Sequence, residues 1–286
     1  MNDLLNFSDV IQFRQQLKAL KYAPATIRAY CCCLSKFLTA FRHKSISTIT
    51  DSEIEAYILS LLERKKYSPS YIRQLRRAII CFFKLRYKRN LCICTSYKIR
   101  HKSTPPVISQ AEIEAMLLCA NSLKQRCIIL FLYGTGIRLK ELIELKIDDI
   151  DFKKQELHIQ SGSYPRSVPI PKKAINDLIR YCQTYLPKKY LFENQKHERC
   201  SARSIQKSIK AAAAKAGVRK EVSPRLLRYS FAIHLLRYGI SPQYVKQLLG
   251  ITSLNSLFCY NPYAPSNFVR PPSPLDIETI EVNSHN

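Results

Sequence analysis

From Asp9 to about Arg89, apolar residues recur at steps of three and four along four successive segments. Steps of that size place apolar side chains on one side of an α-helix, so the chain can hide them only by packing helix against helix. Val10, Phe13, Leu17 and Leu20 mark the first stripe. Pro24 starts a second helix, whose face carries Ile27, Tyr30, Leu34, Phe37, Leu38 and Phe41. Asp51 precedes a third, with Ile54, Tyr57, Ile58, Leu61 and Leu62. Ser68–Pro69 opens a fourth, with Ile72, Leu75, Ile79, Phe82 and Phe83. The expectation is a four-helix bundle. Arg73, Arg76, Arg77, Lys84 and Arg86 surround the stripe of the last helix, and their common sign suits a phosphate-bearing partner better than bare solvent.

Periodicity is lost over residues 98–108, which contain Pro105–Pro106, so a basic linker is expected there. This divides the chain into an N-terminal helical domain (residues 1–97), a second domain (109–263) and a tail (264–286). Ser109 and Glu112 have the spacing of a capping box and open the second domain. Helical patterns run over 111–120, 122–133 and 138–146. Between 150 and 170 the period changes to two: Ile150 and Phe152, Leu157 and Ile159, then Val168 and Ile170 alternate, as in a three-stranded meander. Helices return at 172–185, 201–216, 224–238 and 241–249, with a short one at about 253–260. The fold class is therefore mainly α, in two domains, with one small three-stranded sheet.

The formal net charge of +25 narrows the partner. Residues 1–105 carry 20 Lys/Arg against 6 Asp/Glu, a net of +14, and residues 106–286 carry 26 against 15, a net of +11. So large an excess in both parts attracts polyanions, nucleic acid first. No helix reads as a basic amphipathic membrane anchor, and no apolar run is long enough to span a bilayer. The eleven cysteines are odd in number, several lie within helical patterns (Cys31, Cys32, Cys33, Cys81, Cys127), and the first residues do not read as a secretory leader. They are expected to be reduced, in a cytoplasmic protein. No cysteine pair has a partner at zinc spacing, so neither a metal nor another cofactor is expected.

Three segments carry the candidate chemistry: YGTGIRLKELIELKIDDID (133–151), SPRLLRYSFAIHLLRYGISPQYVKQLLG (223–250) and ITSLNSLFCYNPY (251–263). The first sets Arg138 after a glycine break, at a helix start. The second sets Arg225 and Arg228 on one helical face. The third sets Tyr260 and Tyr263 before proline-rich chain. A guanidinium can pair two oxygens of one phosphate, and the N–H groups of a helix start assist it.

In order and spacing these segments resemble the catalytic domain of the tyrosine recombinases (phage integrases), in a Xer-like form. That family holds its first arginine in G-T-G-x-R and its second in H-x-x-R. An L-L-G-H run, with a tyrosine nine residues after its histidine, completes the set. Here GTGIR ends at Arg138, RLLR ends at Arg228, LLGI reaches Ile251, and nine residues on stands Tyr260. RSVPI and SARSIQKSIKAAAAKAG also resemble the family, as do YAPATIRAYCCCLSKFL and YSPSYIRQLRRAIICFFK in the N-terminal half.

The resemblance implies a C-shaped clamp on double-stranded DNA, acting as a homo-oligomer (a tetramer on paired sites) or with a related recombinase. It implies site-specific recombination or integration through a 3′-phosphotyrosyl intermediate on Tyr260, with Arg138 and Arg228 on the phosphate, and no ATP or metal. Arg73, Arg76, Arg77, Lys84 and Arg166 are the candidate DNA contacts. The spacing favours Tyr260 over Tyr263 as nucleophile.

Three family positions are altered. The hairpin lysine, which protonates the leaving oxygen, is missing: Ser161, Gly162 and Ser163 fill that turn, and no lysine lies between Lys154 and Lys172. Arg225 replaces the first histidine and Ile251 the second. His234 reads as a structural histidine, not a substitute. A second expectation follows: a catalytically impaired homologue acting as a non-enzymatic DNA-binding protein of a mobile element or plasmid. The acidic tail (Asp276, Glu278, Glu281) either docks on a neighbouring protomer or has no fixed structure.

Overall fold

The computed structural model describes residues 2–63, 67–93, 106–160 and 165–251, with side chains from Ser8 onward. The chain divides into two compact units, Met1–Arg100 and His101–Asn286, each with its own hydrophobic core.

The first unit contains α1 (Asn2–Ala19), α2 (Pro24–Ala40), α3 (Asp51–Glu63) and α4 (Pro69–Tyr87), with one short 3-10 turn at Ile46–Thr48. Proline opens α2 and α4 at the first helical position, where its missing N–H costs nothing. Ser68 caps α4 by accepting the Tyr71 N–H. Helix α4 lies chiefly against α2, and α1 packs on both. Phe13, Leu34, Phe37, Ile54, Ile58, Phe82 and Phe83 are fully buried between the helices. Phe13 meets Phe82 edge to face with ring centres 5.5 Å apart. Leu20, expected in the first stripe, is 53% exposed, because α1 stops at Ala19 and the chain turns through Lys21 with φ +57°.

The second unit opens with the expected capping box: the Ser109 N–H donates to Glu112, and the Glu112 N–H donates to Ser109 Oγ. Helices α5 (Gln110–Leu118), α6 (Leu123–Gly134) and α7 (Leu139–Glu144) follow. From Cys127 to Gly134 every residue of α6 is buried, as a helix apolar on all sides must be. It packs against α8 (Lys172–Tyr185), α9 (Ala202–Lys215) and α10 (Pro224–Arg237), and α11 (Pro242–Leu249) closes the described part. Between α7 and α8 lies one antiparallel sheet in the order β1 (Ile150–Asp151), β2 (Glu156–Ile159), β3 (Arg166–Pro169). Leu157 stands opposite both Ile150 and Val168, so these three share the buried face. Phe152, expected to continue that face, is 38% exposed. Strand β1 ends at Asp151, whose carboxylate takes the N–H groups of Lys153 and Lys154 and turns the chain away.

The expected short helix at 253–260 and the tail lie outside the described residues, as do the linker residues 98–105. Among the described residues, no helix is long and apolar enough to cross a membrane.

Candidate functional site

The break GTG does its work between α6 and α7. Thr135, fully buried, returns its hydroxyl to the Phe131 carbonyl at 2.5 Å. Gly136 turns the chain with φ +62°, and a Cβ there would stand 2.4 Å from the Phe231 ring. Only glycine accommodates both demands. The turn delivers Arg138 to the cap position of α7. Its backbone N–H and its Nη1 donate to the two oxygens of Glu141, at 2.7 and 2.9 Å, and its Nη2 donates to the Gly250 carbonyl at 2.7 Å.

Helix α10 supplies the other two arginines. Ser223 caps it, Pro224 takes its first position, and Arg225 and Arg228 follow in its first turns. Arg228 donates to the Gly136 carbonyl and to the Leu249 carbonyl, each at 2.6 Å. Arg225 is exposed. Arg138, Arg225 and Arg228 line one open cleft of about 290 Å³, together with Gln206 and Ser223. A cleft with three guanidinium groups at the starts of two helices is suited to an anion with several oxygens, such as a phosphodiester.

The site contains one group the sequence reading did not single out. Glu141 is buried at 7% exposure and is shared by two arginines. Burial by itself would raise its carboxyl, but the Arg166 guanidinium and the Arg138 N–H outweigh this and hold it below the usual carboxylate range. Its signal was available: it lies three residues after a helix cap, where an acid reaches back to the cap N–H.

Arg166 was expected among the DNA contacts. Its side chain is 8% exposed and turns inward from β3, on the same face as its partner Ile159. Both Nη atoms hold Glu141, at 3.1 and 2.8 Å, and Nε donates to the Leu248 carbonyl at 2.7 Å. It supports the cleft from beneath and presents nothing to it.

Ile251 is half-buried and packs on the apolar core. His234 is 4% exposed, with Nδ1 against the Tyr133 hydroxyl at 2.7 Å. Burial, and next the charge of Arg237, push its pKa down to about 4, so it sits neutral in the core. Tyr260, Tyr263 and the turn residues Ser161, Gly162 and Ser163 lie outside the described residues.

In the N-terminal unit, Arg73, Arg77 and Lys84 fall within about 40° of one another around α4. Arg73 and Arg77 line an open cleft of about 680 Å³ with Thr26, Tyr30, Ser70 and Gln74. Arg76 points elsewhere: its Nη2 donates to the Ile93 carbonyl at 2.5 Å, bracing the chain that follows α4.

Comparison with known proteins covers both units. Residues 106–266 match the phage integrase family, and residues 10–92 match its N-terminal SAM-like domain. The chain is 30% identical over 247 residues to tyrosine recombinase XerA of Pyrococcus furiosus, covering 82% of each chain. It is 28% identical over 264 residues to XerA of Pyrococcus horikoshii, covering 90% of each. A crystal structure of XerA recombinase matches 98% of this chain and 99% of its own, at 25% identity and a TM-score of 0.53. The site-specific recombinase XerH, bound to its palindromic difH substrate after cleavage, shares the fold with a TM-score of 0.73 at 21% identity, over 86% of this chain and 80% of its own.

Proposed function

The chain belongs to the phage integrase family as a Xer-like tyrosine recombinase, and from that premise we propose that it cuts and rejoins duplex DNA at specific sites through Tyr260. The observation that carries this reading is the convergence of Arg138, Arg225 and Arg228 on one cleft. In the proposed reaction the Tyr260 hydroxyl gives its proton to water and its oxygen attacks the scissile phosphorus. A 3′-phosphotyrosyl bond forms, the bond from phosphorus to the 5′ oxygen breaks, and that oxygen takes a proton from water. A second DNA end reverses the step, so the bond energy is kept in the ester and no ATP is consumed. Arg138 and Arg228 stabilise the charge that builds on the phosphoryl oxygens, and exposed Arg225 supplies a third cation at the mouth of the cleft. Arg73, Arg77 and Lys84 are the proposed phosphate contacts of the N-terminal unit. The two units grip double-stranded DNA, and the protein works as a homo-oligomer on paired sites, in the cytoplasm.

Two features make the proposed turnover slow. No lysine occupies the β2–β3 turn, and loss of a general acid costs about 10²–10⁴-fold in rate. Ile251 packs as an apolar residue where the family places a donor, and loss of one such donor costs about 10²–10³-fold. The same two features favour a second reading, a DNA-binding protein of a mobile element that no longer cleaves.

Covalent trapping separates the two. The purified protein is incubated with nicked duplex fragments from its own replicon, denatured in detergent, and assayed for protein that stays on DNA. The expected result is an adduct that disappears in Tyr260→Phe and forms faster in Gly162→Lys. Sequence-specific binding with no adduct, from the wild type and from Gly162→Lys alike, would reject strand transfer and leave the non-catalytic role.

A further inference from the structure

Three successive carbonyls end helix α11, and three different arginines take them. Arg166 donates to Leu248, Arg228 to Leu249 and Arg138 to Gly250, at 2.7, 2.6 and 2.7 Å. The last carbonyls of a helix have no partner within it and carry the negative end of its dipole, so cations gather there. Arg138 and Arg228 also line the cleft, but Arg166 does not. From β3 it reaches under the cleft, holds both oxygens of Glu141, and leaves 8% of its side chain exposed. Glu141 in turn takes the N–H and Nη1 of Arg138. One buried guanidinium therefore joins the carboxylate that orients Arg138 to the helix end that orients both cleft arginines. The fold leaves space for it: Gly250 has φ +56°, and a Cβ there would stand 2.7 Å from Arg166 Nη1.

Resting on the reading of the cleft as a phosphate clamp, we propose that Arg166 is a positioning residue for strand transfer. It acts through Glu141 and the α11 terminus to set the aim of Arg138 and Arg228 at the scissile phosphate, and it does not touch DNA itself. A planar fork is required for this. A lysine offers one ammonium and cannot reach both Glu141 oxygens and the Leu248 carbonyl in fixed geometry.

The test reads how much one phosphate contributes to binding, which does not depend on turnover. The probe is a duplex recovered from randomised DNA by the wild-type protein, made in all-phosphate form and as a series with one neutral methylphosphonate at each position. In the wild type, neutralising the clamped phosphate is expected to weaken binding about tenfold, the scale of one charge-assisted hydrogen bond. Arg138→Ala removes that penalty and so identifies the position. In Arg166→Gln and Arg166→Lys the penalty at that position falls below about threefold, while penalties elsewhere stay as in the wild type. Cooperative thermal unfolding checks each variant, and Arg166→Lys, which keeps a charge beside Glu141, decides the matter if Arg166→Gln does not fold. A penalty that stays near its wild-type size in folded variants of lower melting temperature means that Arg166 only packs, and the proposal falls. If no position carries a penalty in the wild type, or the penalty survives Arg138→Ala, the phosphate clamp itself is wrong and the role of Arg166 goes with it.

Discussion

His234 is held in the core by the Tyr133 hydroxyl, and burial keeps it neutral with a pKa near 4. A histidine in the unfolded chain takes its proton near pH 6.5, so between about pH 6.5 and 4 the unfolded state binds a proton that the folded state refuses. The folded-state pKa is depressed, so stability is fully present above pH 6.5 and is lost as pH falls, by up to about 1.4 kcal/mol per unit. Denaturant unfolding at pH 7, 6 and 5 should show this slope, and His234→Phe should flatten it. Glu141 does not disturb that window, because carboxylates held low lose their contribution only below the unfolded value of about 4.3. Gly136→Ala should cost at least about 2 kcal/mol in the same assay, since a side chain there meets both a positive φ and the Phe231 ring. The residue scale is also where the sequence was least informative. Motif spacing reached Arg138, Arg225 and Arg228. It could not reveal that Arg166 turns inward or that Glu141 sits between two arginines. Which way a charged side chain points is decided by what the fold packs around it, and that is not local information.

Local information fared better with elements. Ser68–Pro69, the Ser109–Glu112 box, Ser223–Pro224 and Ser241–Pro242 each mark a helix start in the structure, because a cap is made by residues a few positions apart. Phe152 misled because alternation continues past the point where Asp151 turns the chain. Helix α4 shows what an element adds to a list of charges. The sequence grouped Arg73, Arg76, Arg77 and Lys84, but Arg76 serves the Ile93 carbonyl while Arg73 and Arg77 line the cleft beside α2. The two sets should separate experimentally. Arg77→Ala with Lys84→Ala should make the slope of log affinity against log salt shallower by about 0.9 for each phosphate contact removed. Arg76→Ala should leave that slope unchanged and lower stability by about 1 kcal/mol, the worth of its hydrogen bond. A salt slope altered by Arg76→Ala and untouched by the pair would reverse the assignment.

At the scale of the whole molecule, the two units differ in kind. The first is four helices around a core built from Phe13, Phe37, Phe82 and Phe83, with α2 packed chiefly against α4 and α1. The second threads a sheet between helices and assembles its cleft from α7 and α10, which lie some eighty residues apart in sequence. A unit with its own closed core should fold alone. The segment Met1–Arg100 carries 19 Lys/Arg against 6 Asp/Glu, a net of +13, so it should also bind duplex DNA alone. Expressed as a fragment, it should unfold cooperatively and bind with a shallower salt slope than the full chain, because fewer phosphates are neutralised. It should form no detergent-resistant adduct, since Tyr260 lies in the other unit. A fragment that binds with the slope of the full chain would put all the phosphate contacts in the first unit, leaving the arginine cleft of the second without a role in DNA binding. An unfolded fragment would mean instead that its core closes only with the rest of the chain present. Circular dichroism on melting, followed by affinity at four salt concentrations, distinguishes the three results.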